Sequence, residues 1–155
     1  MRVSVIGAGS WGTALANLLV KNNHEVLVYD VDEAIIEEIN TKHTNYSKLK
    51  DGVLEVGVIA TNDLTKVLEF SNIIVLSVPT KVLRIVLNNI KNIITSKKIF
   101  VNTSKGIEPD TSLTISQIAE EVFDEGKVKG FVTLSGPSHA EEVIERKLTL
   151  LVAAS

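Results

Sequence analysis

The stretch Val3-Ser4-Val5-Ile6-Gly7-Ala8-Gly9-Ser10-Trp11-Gly12-Thr13-Ala14-Leu15 decides the fold of this chain. A mostly apolar run ends at a glycine, and Gly7, Gly9 and Gly12 follow in the pattern G-x-G-x-x-G. The apolar spacing then changes to helical, with Ala14, Leu15, Leu18 and Leu19 on one face. A strand that passes through a glycine turn into a helix opens a βαβ unit. Gly7 permits the tight turn, Gly9 lets a pyrophosphate approach the backbone, and Gly12 lets the helix pack on the strand. Unpaired N–H groups at the helix start then form an anion site.

Outward from this turn the alternation continues. Short runs rich in Val and Ile recur at Val3–Ile6, Val26–Tyr29, Ile73–Leu76, Ile99–Val101, Phe131–Leu134 and Leu148–Ala153, with Val58–Ala60 a further short strand. They do not alternate with polar residues, as expected of strands covered on both faces. Between them lie helical patterns at Ile35, Ile36 and Ile39 behind the N-cap candidate Asp32, and at Val82, Val86 and Ile90 behind Pro79. Another runs through Leu113, Ile118, Ala119 and Val122 after Asp110-Thr111-Ser112, with Gly126 as a stop signal. Ser138-His139-Ala140-Glu141 fits a capping box at the head of the last helix. The alternation predicts an α/β fold of the Rossmann type, a doubly wound, mostly parallel sheet with helices on both faces. Thr41–Gly57 breaks the rhythm and is expected to be a long polar surface loop, often a functional element in a compact domain.

Composition narrows the function classes. The 155 residues carry 16 Lys and Arg against 19 Asp and Glu, a net charge of −3, which argues against a chain built mainly to hold nucleic acid or acidic membranes. With no cysteine there is no disulfide scaffold, thiol nucleophile or cysteine-ligated metal. His24, His43 and His139 have no metal-ligand spacing, so no metal site is expected, and His139 is not expected to be catalytic. Mean hydropathy is +0.22, but nothing approaches the ~18 apolar residues of a membrane span, so the apolar excess belongs to short buried segments. Arg2 with the following apolar stretch and Ala14-Leu15-Ala16 resembles a signal peptide, but the glycines interrupt it, and a cytoplasmic setting is expected.

The glycine pattern and its context predict a dinucleotide site. Asp30, at the end of the second strand, stands where a carboxylate accepts hydrogen bonds from the adenosine ribose. A carboxylate there repels a 2′-phosphate, so NAD is expected over NADP, with NADP possible; Val31 follows it, and Asp32 is a competing carboxylate. In a doubly wound sheet, ligands sit beyond the carboxyl ends of the strands. Lys105, after the strand Ile99–Val101, and Ser138, after Phe131–Leu134, both belong to that edge. An ammonium there pairs with a phosphate or polarises a substrate oxygen as charge develops. Pro79 is expected beside the nicotinamide.

These residues resemble one family. Val5–Ala16, Val78-Pro79-Thr80, Ser104-Lys105-Gly106-Ile107-Glu108-Pro109 and Leu134-Ser135-Gly136-Pro137-Ser138-His139-Ala140-Glu141-Glu142 occur in the order seen in bacterial NAD(P)-dependent glycerol-3-phosphate dehydrogenase. The similarity runs the length of the chain, and the last two motifs are more specific than the glycine loop. The resemblance implies reversible hydride transfer between the nicotinamide and dihydroxyacetone phosphate or sn-glycerol 3-phosphate, in phospholipid synthesis. It implies cofactor contacts at Ser10, Trp11, Lys105 and Ala140 beside Gly7, Gly9 and Gly12, and substrate contacts at Lys105, Gly136 and Ser138. It also implies that the general-base lysine lies in a helical C-terminal domain. The chain, residues 1–155, is therefore expected to be a nearly complete dinucleotide-binding domain, truncated at its C-terminal end and inactive alone. No catalytic residue is assigned within it, and a homodimer is expected of the full-length enzyme.

Two features depart from the family pattern. Asp30-Val31 replaces a neutral residue followed by a basic one suited to NADP, and the segment Tyr46–Leu54 lacks the family's proline-containing pattern, so no contacts are assigned to it. Two competing functions stay open: another two-domain NAD-dependent dehydrogenase acting on a hydroxy acid, and a non-catalytic NAD-binding sensor module.

Overall fold

The computed structural model describes residues 1–124 and 126–155, the side chain of Asp51 excepted. The elements are β1 (Arg2–Ile6), α1 (Ser10–Lys21), β2 (Glu25–Tyr29), α2 (Glu33–Lys42), β3 (Thr44–Asn45), β4 (Leu49–Val53) and β5 (Val58–Thr61). They continue as α3 (Leu64–Phe70), β6 (Ile73–Leu76), α4 (Thr80–Ile93), β7 (Lys98–Asn102), α5 (Ile115–Val122), β8 (Val128–Ser135), α6 (Ala140–Ile144) and β9 (Val152–Ala154). The main sheet runs β5-β2-β1-β6-β7-β8-β9, parallel through β8, with β9 antiparallel at the edge. Counted over the six parallel strands this is the order 3-2-1-4-5-6 of the Rossmann fold.

Both faces of the sheet are covered, which is why the central strands are apolar on both sides. On one face Ile6, Ile74, Leu76 and Phe100 meet Val67 and Leu68 of α3, Leu83, Leu87 and Ile90 of α4, and Ile115 and Ile118 of α5. On the other, Val3, Val5, Val26, Val28 and Val75 meet Leu15 and Ala16 of α1 and Ile35 and Ile39 of α2. Phe100 stacks on Phe123 with ring centroids 4.8 Å apart, closing the core below α5.

Three expectations need correction. The run Leu148–Ala153 is not a strand covered on both faces: only Val152–Ala154 pairs, antiparallel to β8 as the outermost strand of the sheet, and Leu148 and Val152 are exposed (95% and 68%). The segment Thr41–Gly57 is not a structureless loop, since it folds into the β3–β4 hairpin. Asn45 of that hairpin is fully buried and donates to the Ala8 carbonyl (2.8 Å) and to Thr13 Oγ1 (2.9 Å). The capping box is not at Ser138. The helix starts later, with His139 at its N-cap and no side-chain cap, because Ser138 Oγ turns back toward the Gly136 carbonyl at 3.5 Å. A complete capping box stands instead at α5, between Thr114 and Gln117.

Candidate functional site: the cleft at the sheet's switch point

Strand order reverses between β1 and β6, and the connections leaving these two strands part there. Gly7 leaves β1 with φ +106°, a conformation that side chains with a Cβ rarely adopt, and a Cβ at this position would lie 2.4 Å from the Ser77 carbonyl. The next glycines differ in kind. A Cβ on Gly12 would meet the Gly7 carbonyl oxygen at 2.0 Å, whereas a Cβ on Gly9 would find nothing within 4 Å. Gly12 is thus required by the packing of the turn, and Gly9 keeps open the space in front of the helix. That is the room a pyrophosphate needs to reach the backbone.

The loop is held from both sides. The Gly7 amide donates to the Tyr29 carbonyl (2.8 Å), and the Ala8 amide to Asp30 Oδ2 (2.7 Å). Ser10 Oγ donates to the Lys48 carbonyl of the hairpin loop (2.6 Å). Asp30 Oδ1 accepts from the Asp32 amide (3.1 Å), while Asp32 caps α2 through the amides of Ala34 and Ile35. The two neighbouring carboxylates therefore divide the work: Asp32 belongs to its helix, and Asp30 joins the glycine loop to β2.

A cleft of about 660 Å³ opens along this edge, lined by Gly7, Gly9, Ser10, Asp30, Val31, Pro79 and the exposed side of α4, among others. Lys48 and Tyr29 line it too. Burial, and secondarily Asp30, push the Tyr29 phenol above its ordinary pKa, so it stays a neutral hydroxyl. A second hollow of about 450 Å³ shares Gly9, Ser10, Ser77, Val78 and Pro79 with the first. It continues to Trp11, Lys105, Ser138, His139 and Ala140. The two form one groove bent over the switch point, with Asp30 at one end and Lys105 at the other.

The segment bearing Lys105 is tightly tied. Thr103 Oγ1 donates to the Leu76 carbonyl (2.8 Å), Ser104 Oγ to the Val78 carbonyl (2.6 Å), and Thr80 Oγ1 to the Lys105 carbonyl (2.7 Å). Gly106 then turns the chain with φ +97°. Lys105 itself is exposed, and its ammonium makes no hydrogen bond or ion pair among the described residues. Ser138 is buried at 6% exposure and lines the same hollow, as does buried Ala140. Gly136 does not line either hollow: a Cβ there would meet the Leu150 carbonyl at 2.4 Å, so close packing of the tail accounts for this glycine.

Sequence reasoning missed Lys48, Ser77 and the hairpin that flanks the glycine loop. Their signal was weak, since Asn45 reaches Ala8 across 37 positions and nothing local marks it as a core residue. Among the described residues no group of three or more His, Cys, Asp or Glu is placed to hold a metal ion, and no helix is long and apolar enough to cross a membrane.

Comparison with known proteins gives this geometry its family. Glycerol-3-phosphate dehydrogenase [NAD(P)+] of Macrococcus caseolyticus is 44% identical over 155 residues, covering 100% of this chain and 47% of the relative. The protein of the same description from Staphylococcus aureus is 42% identical over 154 residues, covering 99% of this chain and 46% of its own length. The chain thus spans about half the length of the curated relatives it matches. Among solved structures, glycerol-3-phosphate dehydrogenase of Coxiella burnetii superposes with a TM-score of 0.88 at 25% identity, covering 98% of this chain and 46% of that one. The Saccharomyces cerevisiae enzyme gives 0.82 at 26% identity, covering 99% and 47%. The family model described as the N-terminus of NAD-dependent glycerol-3-phosphate dehydrogenase matches residues 2–155, and the chain belongs to that family.

Proposed function

We propose that residues 1–155 are the dinucleotide-binding domain of an oxidoreductase that transfers a hydride between NAD(P)H and dihydroxyacetone phosphate, giving sn-glycerol 3-phosphate. The observation that carries this reading is the single bent groove, with the open space before Gly9 at its middle, Asp30 at one end and Lys105 at the other. Its residues fit a dinucleotide: the uncapped N-terminus of α1 would hold the pyrophosphate, and Asp30 and Val31, which line the cleft, would hold the adenosine ribose. Pro79 and Ala140 line the other arm of the groove, where the nicotinamide would lie. When bound, the nicotinamide supplies or accepts the hydride.

The chain's own residues bind and orient. Gly7, Gly9, Ser10, Trp11 and Gly12 shape the phosphate cradle. The Lys105 ammonium offers a positive charge where the substrate phosphate or its developing oxyanion comes to rest, and buried Ser138 borders the same hollow. The general base is assigned to a helical domain outside these residues, so the 155-residue chain is expected to bind cofactor without turnover. Asp30 supports NAD over NADP, because its carboxylate opposes a 2′-phosphate. A cytoplasmic setting, and a homodimer for the full-length enzyme, complete the proposal.

Fluorescence titration of the chain with NADH and NADPH tests it. NADH is expected to bind at least about tenfold tighter, from charge repulsion on the order of 1.4 kcal/mol. Equal or tighter binding of NADPH overturns the NAD preference. Oxidation of NADH by dihydroxyacetone phosphate on the isolated chain overturns the assignment of the base elsewhere.

A further inference from the structure

The segment Ser104–Pro109 carries one charged residue that the groove does not use. Glu108 faces away from Lys105's hollow and toward α4, where Arg84 meets it with both prongs of its guanidinium. Nε donates to Glu108 Oε1 at 2.8 Å, and Nη2 donates to Oε2 at 2.7 Å. The third nitrogen, Nη1, donates to Glu121 Oε2 of α5 at 2.9 Å. Thr111 Oγ1 adds a further bond to Glu108 Oε2 (2.5 Å), and the Glu108 backbone pairs with Leu113 and Ser112 (2.9 Å each).

This arrangement differs from the other ion pairs of the molecule. The Arg2–Glu25 pair is single-pronged between side chains that are 61% and 67% exposed, whereas the Glu108 side chain is 12% exposed and held by a planar fork. Such a bidentate pair fixes direction as well as distance, which a lysine's point charge does not. Two residues before Glu108, Gly106 turns the chain with φ +97° and open space around it, and the segment on either side of this turn is tied to α4 through the Lys105 carbonyl and the Glu108 carboxylate. Thr80, at the start of the helix that carries Arg84, supplies the second tie through the Lys105 carbonyl.

We propose that Arg84 is a positioning residue: through Glu108 it locks the turn after Lys105 onto α4 and so fixes where the Lys105 ammonium stands over the groove. The proposal rests on the reading of Lys105 as a cofactor and substrate contact. Lys105 is long, exposed and without a side-chain partner among the described residues, so its placement comes from its backbone alone. That backbone hangs between two ties to one helix. Losing the Arg84 tie leaves the ammonium in reach of the groove but no longer held at one point.

The test is a double-mutant cycle on the 155-residue chain, with NADH as the probe and fluorescence as the readout. K105M is expected to weaken NADH binding about tenfold, the loss of one charge-assisted contact. R84M is expected to weaken it about fivefold although it removes nothing that lines the groove, and R84K, which cannot form the fork, recovers only part. The double variant is expected to bind about as weakly as K105M alone, rather than the roughly fiftyfold weaker that independent effects would give. E108Q keeps the shape of the anchor and is expected to behave as R84M does; thermal unfolding of each variant identifies loss of fold. Additive effects overturn the proposal, as does parent-like binding by both R84M and E108Q. If K105M itself binds NADH like the parent, the assignment of Lys105 fails and the proposal falls with it. If K105M weakens binding but the Arg84 and Glu108 variants do not, only the clamp is wrong.

Discussion

Two sets of helix beginnings in this molecule are built differently. α2, α3 and α5 start behind Asp32, Asp63 and Thr114, each of which accepts a hydrogen bond from the first turn of its helix. α1 and α4 start behind Gly9 and Pro79, with no side-chain cap on either. The uncapped starts of α1 and α4, and that of the short α6 behind His139, border the groove. A helix whose first N–H groups are satisfied by its own side chain is complete without a ligand. A helix that leaves them open holds partial positive charge toward whatever anion enters. The groove thus takes its open N–H groups from the uncapped helices, although the capped start of α2 lines it too through Asp32 and Ile35.

The sharpest way to break that comparison lies among the glycines. G12V is expected to destabilise the chain by about 3 kcal/mol, because the new side chain is driven into a backbone carbonyl rather than a yielding side chain. A urea midpoint that does not move would show that the α1–β1 contact is not the tight approach described. G9A has the opposite signature. Its Cβ enters empty space, so stability is expected to change by no more than about 1 kcal/mol, while NADH affinity falls by roughly tenfold or more as the methyl occupies the phosphate's room. Titration showing parent-like affinity would remove Gly9 from the site.

The capped helices make a smaller, purely structural prediction. T114A removes the cap of α5 and is expected to cost about 1 kcal/mol of stability with NADH binding unchanged, since α5 lies away from the groove. Weaker NADH binding in T114A at constant fold would mean that the two kinds of helix start are not separable. The smallest expected effect is in acid. Arg84, and next Thr111, hold the Glu108 carboxyl down at about 2 from 4.5. Its contribution to stability is present above the unfolded value of 4.5 and is lost as pH falls toward 2. Denaturant midpoints measured across that window are expected to fall less steeply in E108Q than in the parent.

Much of this was legible from residues in order. The parallel strands β1, β2, β6 and β7 announce themselves as Val- and Ile-rich runs because both faces of each are covered, so most positions ask for an apolar side chain. The same logic overreached at Leu148–Ala153, where an equally apolar run forms an exposed antiparallel edge; apolarity does not say whether anything covers it. At Ser138 the S-x-x-E pattern was present but the hydroxyl found the Gly136 carbonyl instead, since a local turn competes with a cap for the same side chain. The real capping box, Thr114 to Gln117, is the same chemistry two residues past the segment Asp110-Thr111-Ser112 that drew attention.

Lysines show where the boundary falls. Lys98 opens β7 and Lys105 follows three residues after its end. Lys98 is 4% exposed, donates to the carbonyls of Leu68 and Ser71 and to Asn72 Oδ1, and has its pKa lowered by that burial. Lys105 stands exposed over the groove.

By itself the sequence determined the βαβ alternation, the glycine turn and the candidate residues at the carboxyl edge, because these depend on side-chain periodicity and on glycines within one turn of each other. Tertiary structure alone decided which glycine serves packing and which leaves space, how the hairpin's Asn45 supports Ala8, and that Arg84 grips Glu108. The last two are contacts between segments 37 and 24 positions apart, set by the strand order. No local pattern records them, since each partner alone is an ordinary polar residue.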